Sequence, residues 1–283
     1  MITIEQLQAG IVVPIDKPRQ WTSFQTVNKV KSIVRNTYGL KKFKIGHAGT
    51  LDPLATGLLL VCLGKATKTI PSLQDGDKVY TGTMVLGATT PCFDLEQPID
   101  HTYPYQHITT ALLDEARRTF VGTIMQVPPI FSAVKIEGRR AYEYARKDDP
   151  DAVIHPKPVA IHSFEITAYR ESISTQTPHI ESDGGNMDNS TLMQREESTV
   201  RPTHLYDNPL GIVPPHLPQI DFRIHCGKGT YIRSIARDFG LAIGSGAFLA
   251  ALRRERVGQY TVDHALQLDA IEKYFMQNII TQS

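Results

Sequence analysis

Cysteine is scarce: Cys62, Cys92 and Cys226 are the only three in 283 residues, far apart, odd in number and without a C-x-x-C pair. That pattern indicates neither a disulfide framework nor a cysteine zinc cage, and it fits a reducing cytosol. The opening stretch MITIEQLQAGIVVPID has neither a basic head nor a long apolar core, and no apolar run reaches the roughly 20 residues a membrane span needs. Export and membrane insertion are therefore not expected. G-x-S-x-G, the phosphate loop and G-x-G-x-x-G are missing too, and with them the commonest signatures of serine hydrolases, nucleotide hydrolases and dinucleotide enzymes. Acids are absent from Lys17 to Leu51, where eight lysines and arginines stand. The net charge of +1 hides this, because residues 170–218 carry seven acids against three arginines and no lysine. A local positive field attracts a polyanion, although a solvated helix face is the plainer reading of the run alone.

What is present reads as alternating strands and helices in one catalytic domain over 1–283. GIVVPIDKP predicts a strand ending at a proline. TSFQTVNKVKSIVRNTYG predicts a helix capped by Thr22 or Ser23, with Val27, Val30, Ile33 and Val34 on one face and Gly39 near its end. TGLLLVCLG is too short and too continuously apolar for an amphipathic helix and suits a strand buried on both sides. KVYTGTMVLG alternates, with Tyr80, Gly82, Met84 and Leu86 on one side. Helices are expected at about 109–121 and inside RRAYEYARK, and a strand at KPVAIHSFEITAY. QIDFRIHC reads as a strand, and TYIRSIARDFG as a helix capped by Thr230 and stopped at Gly240. GAFLAALRRERVGQYTVDHALQLDAIEKYF is read as helix, short strand and helix. Residues 170–218 hold only 12 large apolar residues in 49, so a long exposed insertion is expected there. The fold class is α+β, with a mixed, largely antiparallel sheet flanked by helices.

The segment KIGHAGTLDPLATGLLLVCLGKATK, residues 44–68, places one histidine and one acid ahead of the apolar strand. His47 and Asp52 lack the i, i+4 spacing of a zinc helix, and the glycines and proline around them exclude a regular helix. On local chemistry alone, Leu-Asp-Pro is a turn in which Asp hydrogen-bonds backbone and Pro fixes φ.

Five longer stretches change the reading. GHAGTLDPLATGLLLVCLGKATK resembles the signature of the TruB family of tRNA pseudouridine synthases, and IDKPRQWTSFQTVNKVK its N-terminal motif. QVPPIFSAVKIEGRRAYEYARK, CGKGTYIRSIARDFG and LRRERVGQY resemble three more, in the family's order. The resemblance implies a pseudouridine synthase fold with a thumb-like RNA-binding insertion at 126–150. It also implies an isomerase that detaches uracil from its ribose, turns the base and rejoins it through carbon 5. The implied substrate is uridine 55 in the TΨC loop of tRNA.

By position, Asp52 is then the catalytic acid, acting either as nucleophile at C1′ or as the base that yields a glycal. Arg233 pairs with it, and an adjacent guanidinium favours the ionised carboxylate. Tyr80 stacks on the uracil, Leu252 forms the apolar wall opposite, and His47 fills the space the flipped nucleotide leaves. Lys17, in the D-K-P triplet, supports the active-site loop. Lys135, Arg139, Arg140, Arg146 and Lys147 meet RNA phosphates. No cofactor, metal or guide RNA is implied, and a cytoplasmic monomer is expected. The chain departs from the family in its 170–218 insertion, in LGATTPCFD, and in ending 23 residues after LRRERVGQY, too few for a full PUA-type domain. A tRNA-folding or other non-catalytic RNA-binding protein is the alternative from another class.

Overall fold

The computed structural model describes residues 2–130, 135–136, 139–140, 154–171 and 214–276. The first half contains α1 (Ile4–Ala9), β1 (Ile11–Lys17), α2 (Ser23–Tyr38), β2 (Ile45–Ala48), β3 (Thr56–Leu63), α3 (Ile70–Asp75), β4 (Lys78–Leu86), and the short β5 (Ala88–Thr89) and β6 (His101–Thr102). There follow α4 (Thr110–Arg118), β7 (Gly122–Gln126), β8 (Lys135–Ile136), β9 (Arg139–Arg140), β10 (Lys157–Arg170), β11 (Gln219–Cys226), α5 (Ile232–Ala242), β12 (Ala247–Val257), β13 (Tyr260–Thr261) and α6 (Ala270–Met276).

One nine-stranded sheet organises these elements in the order β1-β3-β12-β4-β11-β10-β7, with β2 paired to β3 and β13 to β12. Only β3 and β12 run parallel; the other pairs in this sheet are antiparallel, so the mixed, largely antiparallel expectation holds. Helices cover it. On α2, Thr22 and Gln25 form a reciprocal capping box and Gly39, at φ 65°, ends the helix. Its buried valines and Ile33 pack on Leu59, Val61 and Leu63 of β3. Leu58 and Leu60 face the other way, onto Val257 and Val262. The unbroken apolar run of β3 thus serves two cores, one on each side.

A larger core joins Tyr80, Met84 and Leu86 of β4 to α4, α5 and β10–β12. Phe164 lies 5.4 Å from Phe239 of α5 and 6.3 Å from Phe222, ring centre to centre. Such aromatic contacts fix α5 in angle and position, which matters because Arg233 rides on its first turn.

Three expectations need correction. GAFLAALRRERV is not a helix: its Ala247–Val257 is the whole of β12, a central strand between β3 and β4. Leu, Ala and Arg favour helices, yet the hydrogen-bonding slot between two strands outweighs that weak preference. Register shifts at Leu249/Ala251 and Arg254/Arg256 also break the two-residue alternation that would reveal a strand. Thr230 does not cap α5: its hydroxyl donates to the Gly227 carbonyl, and Tyr231 takes the cap position. Nor does Gly240 stop that helix, which continues to Ala242. A Cβ at Gly240 would lie 2.4 Å from the Ala247 nitrogen, so glycine permits a close helix–strand approach. In RRAYEYARK, Arg139 and Arg140 form β9; the remainder, with Arg146 and Lys147, lies outside the described residues, as does 172–213.

Candidate active site

Asp52 sits in the turn between β2 and β3, and almost every residue of that turn is tethered. Arg254, 1% exposed, donates from Nε to the Leu58 carbonyl at 2.8 Å and from its terminal nitrogens to Gly49 at 3.0 Å and Thr50 at 3.5 Å. Ser23, at the start of α2, accepts from the Leu51 N–H at 2.9 Å and donates to its carbonyl at 3.1 Å. The Pro53 carbonyl receives the Gln20 N–H at 2.8 Å and the Lys17 ammonium at 3.3 Å. Lys17 is fully buried and also donates to Trp21 at 2.6 Å and Pro18 at 3.0 Å. Burial pushes its amine down to about 8, with Asp52 opposing that shift and Arg254 adding to it. Lys17 thus donates to three backbone carbonyls, of which Pro53 belongs to the Asp52 turn.

Arg233 reaches Asp52 from the first turn of α5, whose Ile232 and Ile235 share a core with Leu51 and Ala55 of the turn. Its Nε donates to Oδ2 at 3.0 Å and a terminal nitrogen to Oδ1 at 3.2 Å, a two-pronged pairing. The guanidinium is 5% exposed, and its other terminal nitrogen donates to the Cys92 carbonyl at 3.2 Å. The Asp52 side chain is 36% exposed, so the pair is buried on the arginine side and open on the carboxylate side. A second carboxylate, Asp94, stands 3.6 Å from Arg233 Nε. Burial raises the Asp94 carboxyl above its ordinary value while Arg233 pulls it down, and Cys92 Sγ and the Glu96 N–H donate to it.

Asp52, Tyr80, Arg233 and Leu252 line one cleft of about 630 Å³, a size that admits a nucleoside. Lys78, Lys157, Lys228 and Arg254 line it as well. Tyr80 is 9% exposed, and burial raises its phenol, with Arg254 opposing, so the ring meets the cleft neutral. Leu252 lies opposite Gly82 in the β4–β12 ladder, and a Cβ at Gly82 would lie 2.3 Å from the Ala251 carbonyl, so glycine there permits the close approach of the two strands. His47 does not line this cleft. It lies on β2 with Nδ1 buried, and burial lowers its imidazole below the usual value, with the Gly49 backbone opposing that shift and Arg254 adding to it. Another cleft of about 520 Å³, between α4 and β10, gathers Arg117, Glu165 and Tyr169 but none of these groups.

The family model described as TruB family pseudouridylate synthase (N terminal domain) matches residues 35–186, and tRNA pseudouridylate synthase B C-terminal domain matches 233–283. The chain belongs to the TruB family. The tRNA pseudouridine synthase B of Flavobacterium johnsoniae is 45% identical over 273 residues, covering 96% of this chain and 99% of that protein. Its counterpart in Parabacteroides distasonis is 41% identical over 272 residues, covering 96% of each. In fold, the chain is similar to one from a crystal structure of a Cbf5–Nop10–Gar1 complex, with a TM-score of 0.60 at 24% identity. That match covers 99% of this chain and 58% of the longer one.

Within the TruB chain, sequence reasoning missed Arg254, Ser23 and Asp94. Arg254 and Ser23 sit inside the motifs that carried the resemblance, but nothing in their spacing shows that both reach the Asp52 turn, 204 and 28 residues away. Gln126 was missed likewise: 1% exposed, it accepts the Tyr231 N–H at 2.8 Å and donates to the Tyr231 carbonyl at 3.2 Å. Beside it, Ser234 donates to the Val127 carbonyl at 2.8 Å. The segment beginning at 126 is therefore clamped to the helix turn that carries Arg233. Further along, Lys135 and Arg140 lie opposite each other in the β8–β9 ladder, with Arg139 opposite Ile136.

Proposed function

We propose that the protein converts uridine 55 in the TΨC loop of tRNA to pseudouridine, with Asp52 as its catalytic carboxylate. The observation that carries this reading is the Asp52–Arg233 pair at one wall of a cleft shared with Tyr80 and Leu252. The flipped uracil stacks on Tyr80, whose raised phenol argues for a neutral platform rather than a tyrosinate base. Leu252, on the strand beside Tyr80, keeps the neighbouring wall apolar, which strengthens charge interactions between the reacting groups.

Asp52 then stabilises the sugar as the N1–C1′ bond breaks and its electron pair leaves with the uracil. Either a carboxylate oxygen bonds to C1′, or the carboxylate removes the C2′ proton to leave a glycal. After the base turns, C5 bonds to C1′, the carboxylate is restored, C5 loses its proton and N1 gains one. Product and substrate are isomers, so the atoms balance without a co-reactant. Lys135, Arg139, Arg140, Arg146 and Lys147, with Lys157 and Lys228 at the cleft, are assigned to phosphates, and His47 to the stack left by the flipped nucleotide. The purified chain acts without a guide RNA.

Incubating it with an unmodified tRNA transcript and mapping pseudouridine tests the proposal. Wild type is expected to modify the TΨC loop at one position, and Asp52→Asn to give no product. Undiminished product from the variant, or modification elsewhere only, would overturn the assignment.

A further inference from the structure

On the sheet face turned away from Tyr80, Asp77, His162 and His225 converge. Asp77 precedes β4, His162 lies on β10 beside a register shift, and His225 lies on β11. Strand alternation turns these histidines outward, because their neighbours Ile161 and Ile224 point into the large core. Their ligand atoms all lie within 4.8 Å of one another. His162 Nε2 is 3.3 Å from Asp77 Oδ1, and His225 Nε2 is 3.6 Å from Oδ2. The imidazole centroids are 4.6 Å apart and tilted by 52°.

Four ligands held tetrahedrally at zinc distances stand about 3.3–3.4 Å from one another. The His162–Oδ1 separation matches that edge, whereas His225 stands at 3.6 Å from the other oxygen, Oδ2, so closure needs an approach of the two rings and a small turn of the Asp77 carboxylate. Two imidazoles and one carboxylate are the donor set of a borderline divalent cation rather than of magnesium or calcium, which prefer all-oxygen sites. One group opposes the cation: an Arg256 terminal nitrogen lies 3.0 Å from His225 Nε2 and occupies its lone pair.

We propose that Asp77, His162 and His225 bind a zinc-class divalent cation, leaving its fourth position to water. The cation bridges the start of β4 to β11 and β10, three neighbours in the sheet, and competes with Arg256 for His225. The proposal is independent of the tRNA reading, since none of these four residues lines the Asp52 cleft.

Its test titrates the metal-freed chain with zinc chloride while following thermal unfolding, alongside cobalt(II) absorption in the visible. Zinc is expected to raise Tm by roughly 2–5 °C at ten or more times its Kd, with magnesium having no effect. Cobalt should give the intense bands of a four- or five-coordinate ion. His162→Ala and His225→Ala should abolish both responses, whereas Arg256→Ala should tighten binding several-fold. Equal zinc responses in wild type and both histidine variants, or none in wild type and in Arg256→Ala alike, would overturn the proposal.

Discussion

Arg254→Met asks whether the Asp52 turn is held from below. Methionine fills much of the same space but donates to none of the Leu58, Gly49 and Thr50 carbonyls. A hydrogen bond from a charged donor contributes about 1.5–3 kcal/mol. The two well-formed bonds, at 2.8 and 3.0 Å, therefore predict a loss of about 3–6 kcal/mol, the 3.5 Å contact adding little. That range is an upper bound, because Arg254 also repels Lys17 and Lys78, whose amines it helps to depress. Against a total of about 5–15 kcal/mol the variant folds but is marginal, melting roughly 10 °C lower. Once the turn relaxes, a displacement of about 1 Å at Asp52 costs on the order of 100-fold in rate, in kcat more than in KM. Arg254→Lys keeps the charge, yet one ammonium cannot serve β3 and the turn together, so its kcat falls nearly as far. Urea unfolding followed by circular dichroism reads the stability, and tritium release from tRNA labelled at uridine C5 reads the rate. Stability within about 1 kcal/mol of wild type, together with unchanged kcat, would refute the reasoning.

Lys17→Met strips the Pro18, Trp21 and Pro53 carbonyls of one shared donor, and is expected to cost about 3 kcal/mol or more and most of the activity; a variant as stable as wild type shows that the carbonyls find other donors. Gly57→Ala places a Cβ 2.4 Å from the Arg254 carbonyl at a φ of +99°, so a loss of about 2–4 kcal/mol is expected by chemical denaturation, and a neutral result rules out that close approach. Burial holds His47 below its ordinary value, so the unfolded chain binds more protons between that lowered value and about 6.5. Stability should therefore fall as pH drops from 7 to 5, and His47→Gln should flatten the slope; identical slopes would assign the pH dependence elsewhere.

The elements with one dominant local cause were legible in the sequence. The cap at Thr22, Gly39 at the helix end and the alternation of β4 each leave a pattern within a few residues. β12 was misread because its hydrogen bonds come from β3 and β4, both far away in sequence, and its bulges conceal the alternation. The same distinction divides the site. Asp52, Tyr80, Arg233 and Leu252 were nominated through long motifs, and the fold brings all four to one cleft. Arg254 was passed over beside Leu252 because a buried arginine and a surface arginine look alike in a basic run. Asp94 was obscured by the atypical LGATTPCFD segment, although that segment delivers it to Arg233.

Charge near the cleft explains why the basic composition bears on chemistry as well as on binding. Arg233, Arg254, Lys17 and Lys78 are buried about the site, with Asp52, Asp94 and Glu96 acting on Arg233 and Asp75 and Asp77 on Lys78, whereas Lys157 and Lys228 stand at the exposed rim. In the proposed reaction uracil leaves its sugar carrying an electron pair, so fixed positive charge beside it stabilises the departing base, most strongly where water is excluded. Salt separates the two roles. Exposed charges are screened over about 10 Å at 0.1 M salt, and buried ones much less. Raising salt from about 50 to 300 mM should therefore increase KM for tRNA by at least an order of magnitude through lost phosphate contacts, while kcat at saturation changes less than about twofold. A kcat that falls in step with affinity would place the catalytic field at the rim and not in the buried arginines.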